Sequence, residues 1–222
     1  MKETIDKLVA EIDADTRANL EDAGKRTLQL FGAQDSPYLK AVFSKAAAMG
    51  VNVRWSSEAP GIYSAGPVVY DRETVQPKEP LIPFGDDDLD GMQCGRSSCT
   101  AQAVGLIIER LRPRNPHVCI VGRGHAVKGL AEDLLKKDCT VTICHSKTRN
   151  LVDSAHPADV VVNCAPGDPF LDYVTLGNCN LLLDISGGMN KCDLGNHIDY
   201  VGLREIGRVN TSILMSRFAA AI

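Results

Sequence analysis

The chain has 222 residues, 44% hydrophobic and 23% charged, with a formal net charge of −4. That is enough polypeptide to bury the core of one large domain or two small ones, and the mild acidity does not suit binding to nucleic acid or to an anionic membrane. No apolar run approaches the roughly 18 residues of a membrane-spanning helix, and Met1-Lys2-Glu3-Thr4-Ile5-Asp6-Lys7 has no apolar signal-peptide core.

Residues 3–23 have helical periodicity, with Ile5, Leu8, Val9, Ile12 and Leu20 forming an apolar stripe. Residues 28–31 read as a short strand ended by Gly32. Ser36-Pro37 is a helix start, with Ser as N-cap and Pro at the first helical position. That helix is expected to run to Met49, with Gly50 as its stop. A second strand is expected over 51–55. Residues 56–97 are proline-rich and carry the acidic run Asp86-Asp87-Asp88, so loops are expected there, with one strand over 67–70. Thr100 to Leu111 reads as a helix.

From 117 onward the pattern changes. Residues 117–121, 140–144, 159–163 and 181–185 are apolar runs separated by helical segments. Strands apolar on both faces with helices between them imply a parallel sheet covered on both sides. A closing helix is expected over 212–221. The eight cysteines contain no C-x-x-C pair and several lie in the strand-like runs. They read as reduced, buried thiols of a cytoplasmic protein, with no metal site expected.

The motif richest in chemistry is Val121-Gly122-Arg123-Gly124-His125-Ala126-Val127-Lys128-Gly129, which follows a buried strand and opens a helix. Glycines there let the backbone approach a pyrophosphate, and free N–H groups at the helix start favour the anion. The third glycine of G-x-G-x-x-G is Val127 here, and an ordinary strand-to-helix turn is the competing reading. The next strand ends in Cys144-His145-Ser146-Lys147-Thr148, with no acid to accept bonds from a ribose 2′-hydroxyl. Arg123, Ser146 and Lys147 together suit a 2′-phosphate, which favours NADP over NAD. The alternative is that Arg123 and Lys147 are solvated surface charges.

Gly122 to Val127, the run Thr140 to Thr148, Ala158-Asp159-Val160-Val161-Val162 and Gly167-Asp168-Pro169 resemble the methylenetetrahydrofolate dehydrogenase/cyclohydrolase family, as do Asp88-Leu89-Asp90-Gly91 and Cys99-Thr100 upstream. The resemblance implies an α/β fold. A Rossmann-like parallel-sheet cofactor domain over 99–211 would accompany a smaller α/β folate-binding, catalytic domain over 1–98, closed by the C-terminal helix 212–222. It also implies a homodimer, a folate substrate in the interdomain cleft, and NADP held by Gly122, Arg123, Gly124, His125, Val127, His145, Ser146, Lys147, Ala165, Gly167 and Ile185.

The resemblance is weaker where the family does its proton transfers. Tyr38 fits the family's helical tyrosine, and Asp90 its pterin-holding aspartate. Four residues after Tyr38, where the family has lysine, stands Val42. Lys45, seven residues on, shares the helical face but lies about 10 Å along the axis; Lys40 faces elsewhere. Both also read as plain surface lysines. The family's strand glutamine is Tyr70 here, and its proline- and glycine-rich loop is reduced to residues 202–211. Tyr38, Lys45 and Asp90 are therefore the catalytic candidates. Hydride transfer to NADP is expected, with hydrolysis of the methenyl product weak or absent. A non-enzymatic NADP-binding paralogue and a dehydrogenase for another substrate remain open alternatives.

Overall fold

The computed structural model describes residues 1–23, 26–58, 66–71, 88–91, 96–112, 114–165, 171, 173–188, 194 and 197–221. The chain divides into two compact units. One comprises Asp6–Cys99 with Gly207–Ile222, the other Met1–Ile5 with Thr100–Ile206.

The first unit is built on a parallel sheet of three strands, β1 (Thr27–Phe31), β2 (Asn52–Ser56) and β3 (Val68–Tyr70), in the order β2-β1-β3. Helix α1 (Lys2–Ala23) precedes β1, and α2 (Pro37–Ala48) makes the crossover from β1 to β2. The Ser36 hydroxyl oxygen accepts the Leu39 N–H at 3.2 Å, and Pro37 sets the first turn, so α2 starts where the sequence signals it. Leu39, Val42 and Ala46 form its buried stripe. Val42 is fully buried, so the position four residues after Tyr38 belongs to the core. Phe31 pairs with Tyr70 across the sheet, and an isolated parallel bridge joins Val68 to Asp88.

The second unit holds a five-stranded parallel sheet in the order β5-β4-β6-β7-β8. Its strands are β4 (His117–Val121), β5 (Thr140–Cys144), β6 (Val160–Asn163), β7 (Leu181–Asp184) and β8 (Asp199–Val201). Every residue of β6 and β7 is buried, as expected for central strands with both faces covered. Helix α3 (Cys99–Leu111) leads into β4. The short helices α4 (Leu130–Leu135), α5 (Leu151–Ala155) and α6 (Tyr173–Leu176) make the crossovers between the following strands.

Three local expectations are corrected. The turn after β4 does not run straight into a helix. A 3-10 turn (His125–Val127) intervenes, and Gly129, at φ +85°, precedes α4. Strand β8 was not anticipated, because three residues with an exposed Asp199 leave little pattern to read. The last helix, α7 (Leu203–Ala220), begins nine residues before Ser212, so residues 203–211 are helix rather than a reduced loop. Ile206, Val209 and Ile213, all buried, supply the helical spacing that accounts for this extension.

The six cysteines among the described residues are free thiols; Cys94 and Cys192 lie outside them. Among the described residues no helix is long and apolar enough to cross a membrane. None of them form a metal-holding group of His, Cys, Asp and Glu.

Candidate functional site

In the second unit the candidate groups hang from the carboxyl ends of β4, β5, β6 and β7. Gly122 follows β4 at φ +104°, and its N–H donates to the Cys144 carbonyl at 2.8 Å, fastening the ends of β4 and β5 together. A Cβ at Gly122 would lie 2.8 Å from Cys164 Sγ, 2.9 Å from the Cys164 carbonyl carbon and 3.0 Å from the Ala165 nitrogen. Both conformation and space therefore require glycine.

Cys164 supports the turn from beneath. Its N–H and its thiol donate to the Val121 carbonyl at 2.9 and 3.1 Å. Burial pushes this thiol up to about 11, so it stays protonated. Gly124 is the opposite case: a Cβ there would meet nothing within 4 Å. Arg123, Gly124 and His125 are exposed, whereas Val127 is buried in the core. The turn thus offers bare backbone at Gly124 and a flexible cation at Arg123, which fits a phosphate-bearing dinucleotide.

Beyond β5, His145 organises a tight turn. Its N–H donates to Thr148 Oγ1 at 2.9 Å, its carbonyl accepts the Thr148 N–H at 2.8 Å, and its Nδ1 accepts the Lys147 N–H at 3.1 Å. Ser146 and Lys147 project from this turn, exposed. Since Val121 and Cys144 are register partners, Arg123 and Ser146-Lys147 follow adjacent strand ends.

The ends of β6 and β7 carry a buried polar network that the sequence reading missed. Asn163 Nδ2 donates to Asp184 Oδ1 at 3.1 Å and to Ser186 Oγ at 3.0 Å. Tyr200 donates to Asp184 Oδ2 at 3.1 Å, and Ser186 donates to Asp184 Oδ1 through its hydroxyl at 2.7 Å. Asn163 Oδ1 accepts the Ala165 N–H at 3.3 Å, and the Asn163 carbonyl accepts the Ile185 N–H at 2.8 Å. The network therefore fixes the backbone at Ala165 and Ile185, both candidate cofactor positions. A polar residue closing each apolar strand was the available signal. Gly167 lies outside the described residues.

In the first unit, Tyr38 and Asp90 meet. The Tyr38 hydroxyl donates to Asp90 Oδ2 at 2.9 Å, and the Cys99 N–H donates to Asp90 Oδ1 at 3.3 Å. Arg217 of α7 holds the loop in place by donating to the carbonyls of Leu89 at 2.9 Å and Ser97 at 2.8 Å. Burial raises the Asp90 carboxyl to about 6; the bonds from Tyr38 and Cys99 and the charge of Arg217 lower it, and Asp88 raises it. The Tyr38 phenol is pushed well up, by burial first and then by the Asp90 charge. Lys45 is elsewhere. Its ammonium pairs with Asp13 Oδ2 of α1 at 2.5 Å, and it lies about 10 Å along the helix axis from Tyr38. Lys40 is exposed.

Asp90 has a consequence for stability. The folded protein holds this proton up to about pH 6, whereas an unperturbed Asp releases it near 3.8. Between those values the native state binds more protons, so the Asp90 contribution to stability falls as pH rises from about 4 to 6. Denaturant unfolding of the wild type and Asp90→Asn across that range is expected to give a stability difference that moves against the wild type with rising pH. A constant difference would contradict the raised pKa of the Asp90 carboxyl.

A family model described as tetrahydrofolate dehydrogenase/cyclohydrolase, NAD(P)-binding domain, matches residues 98–212, more than half of the chain. The bifunctional protein FolD of Rickettsia akari (strain Hartford) is 47% identical over 74 residues, 32% of this chain and 25% of the relative. That of Natronomonas pharaonis is 30% identical over 136 residues, 57% of this chain and 45% of the relative. The matches thus span between a quarter and a half of these curated relatives. Among solved structures, the bifunctional FolD enzyme of Campylobacter jejuni superposes with a TM-score of 0.73 at 15% identity, covering 99% of this chain and 96% of that one. The 5,10-methylenetetrahydrofolate dehydrogenase of the silkworm, Bombyx mori, gives 0.73 at 16% identity, with 97% and 95% covered. At that identity the likeness is one of fold, and it agrees with the two parallel α/β sheets described above. The chain belongs to the tetrahydrofolate dehydrogenase/cyclohydrolase family, whose NAD(P)-binding domain it carries over residues 98–212.

Proposed function

We propose that this protein oxidises 5,10-methylenetetrahydrofolate to the methenyl form with NADP, and that it hydrolyses the product weakly or not at all. The observation that carries the reading is a contrast. The dinucleotide turn has its required glycine, its bare backbone and its cation, whereas Tyr38 has a fully buried valine where a proton-transferring partner would stand.

Bound NADP supplies the hydride acceptor. The residues that would hold it are Gly122 to His125 at the pyrophosphate and Arg123, Ser146 and Lys147 at the 2′-phosphate, with Ala165 and Ile185 on the loops that Asn163 and Asp184 fix. Asp90 accepts N–H donors from the polar edge of the folate ring, oriented by the Tyr38 O–H and the Cys99 N–H. Hydride transfer needs alignment above all. Hydrolysis needs a base for water and an acid for the leaving nitrogen, groups that typically contribute about 10²–10⁴-fold in rate. Lys45 serves that step only if it leaves Asp13, which accounts for the weak hydrolysis. A homodimer in the cytoplasm belongs to the same reading. A second reading, an NADP-binding paralogue acting as a sensor or partner subunit, is favoured by Val42 and by the Lys45–Asp13 pair.

Cofactor choice is tested by titrating NADP and NAD against the wild type and Arg123→Ala. NADP is expected to bind more tightly, and the substitution to cost NADP roughly 1.5–3 kcal/mol while leaving NAD nearly unchanged. Equal affinities for the two cofactors in the wild type would refute the assignment. Reaction course is tested by following methenyltetrahydrofolate after NADP reduction. Its loss at the spontaneous rate is the expected result, and rapid protein-dependent loss would show that a hydrolytic group is at work.

A further inference from the structure

Strand register puts Cys144, Val121, Asn163 and Asp184 in one row across β5, β4, β6 and β7, at their carboxyl ends. The proposed cofactor contacts give that row a direction. Ser146 and Lys147, for the 2′-phosphate, follow β5, and the Gly122 turn, for the pyrophosphate, follows β4. A dinucleotide spanning these two points carries its adenosine half on the β5 side. Its nicotinamide half then runs the other way, over the ends of β6 and β7. Asp184 stands two strand spacings from Val121, which is about 10 Å at the usual separation of neighbouring strands.

Asp184 is fully buried. Its Oδ1 accepts the Ser186 N–H at 3.1 Å, besides the bonds from the Asn163 amide and the Ser186 hydroxyl, and its Oδ2 accepts the Tyr200 O–H. Each of these donors is uncharged. Burial and the Asp184 charge push the Tyr200 phenol up to about 12, so it stays a donor. Such bonds favour the ionised carboxylate and leave its negative charge in place. A charge held inside the protein is screened far less than one in water, so its field reaches beyond its own neighbours.

We propose that Asp184 makes the dinucleotide site prefer the oxidised cofactor to the reduced one. The oxidised nicotinamide ring carries a positive charge, and hydride transfer to its C4 neutralises it. A buried negative charge at that end of the row attracts the first form and is indifferent to the second. Asp184 touches no ligand atom and acts by its charge alone. The consequence suits the direction of the proposed reaction: the site holds the cofactor until the hydride has been transferred and loosens afterwards. The inference rests on the NADP reading above.

The test is a titration of three ligands: NADP, NADPH and 2′-phospho-ADP-ribose, which lacks the nicotinamide. The wild type is expected to bind NADP about tenfold more tightly than NADPH. Asp184→Asn keeps the shape of the side chain, and its amide can donate to the Tyr200 oxygen instead of accepting from it. In that variant NADP affinity is expected to fall to that of NADPH, with 2′-phospho-ADP-ribose bound as before. Tyr200→Phe, which keeps the charge, is expected to keep the preference. A wild type that binds NADPH as tightly as NADP would overturn the proposal, whether or not the Asp184 variant folds. So would a preference that survives Asp184→Asn or is lost in Tyr200→Phe. An equal loss of affinity for all three ligands in Asp184→Asn would show a purely structural network and overturn it too. If the wild type binds none of the three, the NADP reading falls and takes this inference with it; binding without preference removes the inference alone.

Discussion

Parallel strands cannot be joined by a tight turn; each must be followed by a crossover that returns the chain to the opposite end of the sheet. Both units obey this constraint, and it decides where chemistry can be placed. Every strand of a parallel sheet points its carboxyl end the same way, so the loops leaving those ends gather along one edge. In one unit that edge collects Gly122, the His145 turn, Ala165 and Ile185. In the other it collects Tyr70, Asp88 and Asp90, with Tyr38 in the first turn of α2.

Holding those loops still is the second requirement, and the chain meets it with buried polar contacts. The Cys164 thiol and N–H both donate to the Val121 carbonyl beneath the glycine turn. Asp184, fully buried, gathers Asn163, Ser186 and Tyr200. Arg217 secures the Asp90 loop through two carbonyls. In each case the buried group has partners, which turns a desolvation cost into positional order.

Much of this was legible in the sequence, for identifiable reasons. Strands apolar on both faces announced the parallel sheet, and Ser36-Pro37 fixed the start of α2 through capping geometry. The glycine turn was visible because its conformational demand falls on Gly122 itself. What stayed hidden depended on contacts distant in sequence. The Lys45–Asp13 pair joins α2 to α1 across 32 positions, so helical spacing alone left Lys45 a catalytic candidate. The Asn163–Asp184 bond required knowing that β6 and β7 are neighbours. The early start of α7 was masked by comparison with a family loop, although Ile206, Val209 and Ile213 carried the helical spacing. The role of Gly129 was obscured because the motif places its third glycine at the position of Val127.

The central proposal is that Asp90 holds a folate substrate and the Gly122 turn holds NADP. Its most direct test is NADPH formation from NADP and 5,10-methylenetetrahydrofolate, measured for the wild type and for Asp90→Asn. The account predicts catalytic NADPH formation by the wild type. It also predicts that Asp90→Asn loses most of that rate while binding NADP as tightly as before. A wild type that forms NADPH no faster than a protein-free control, despite binding NADP, would contradict it.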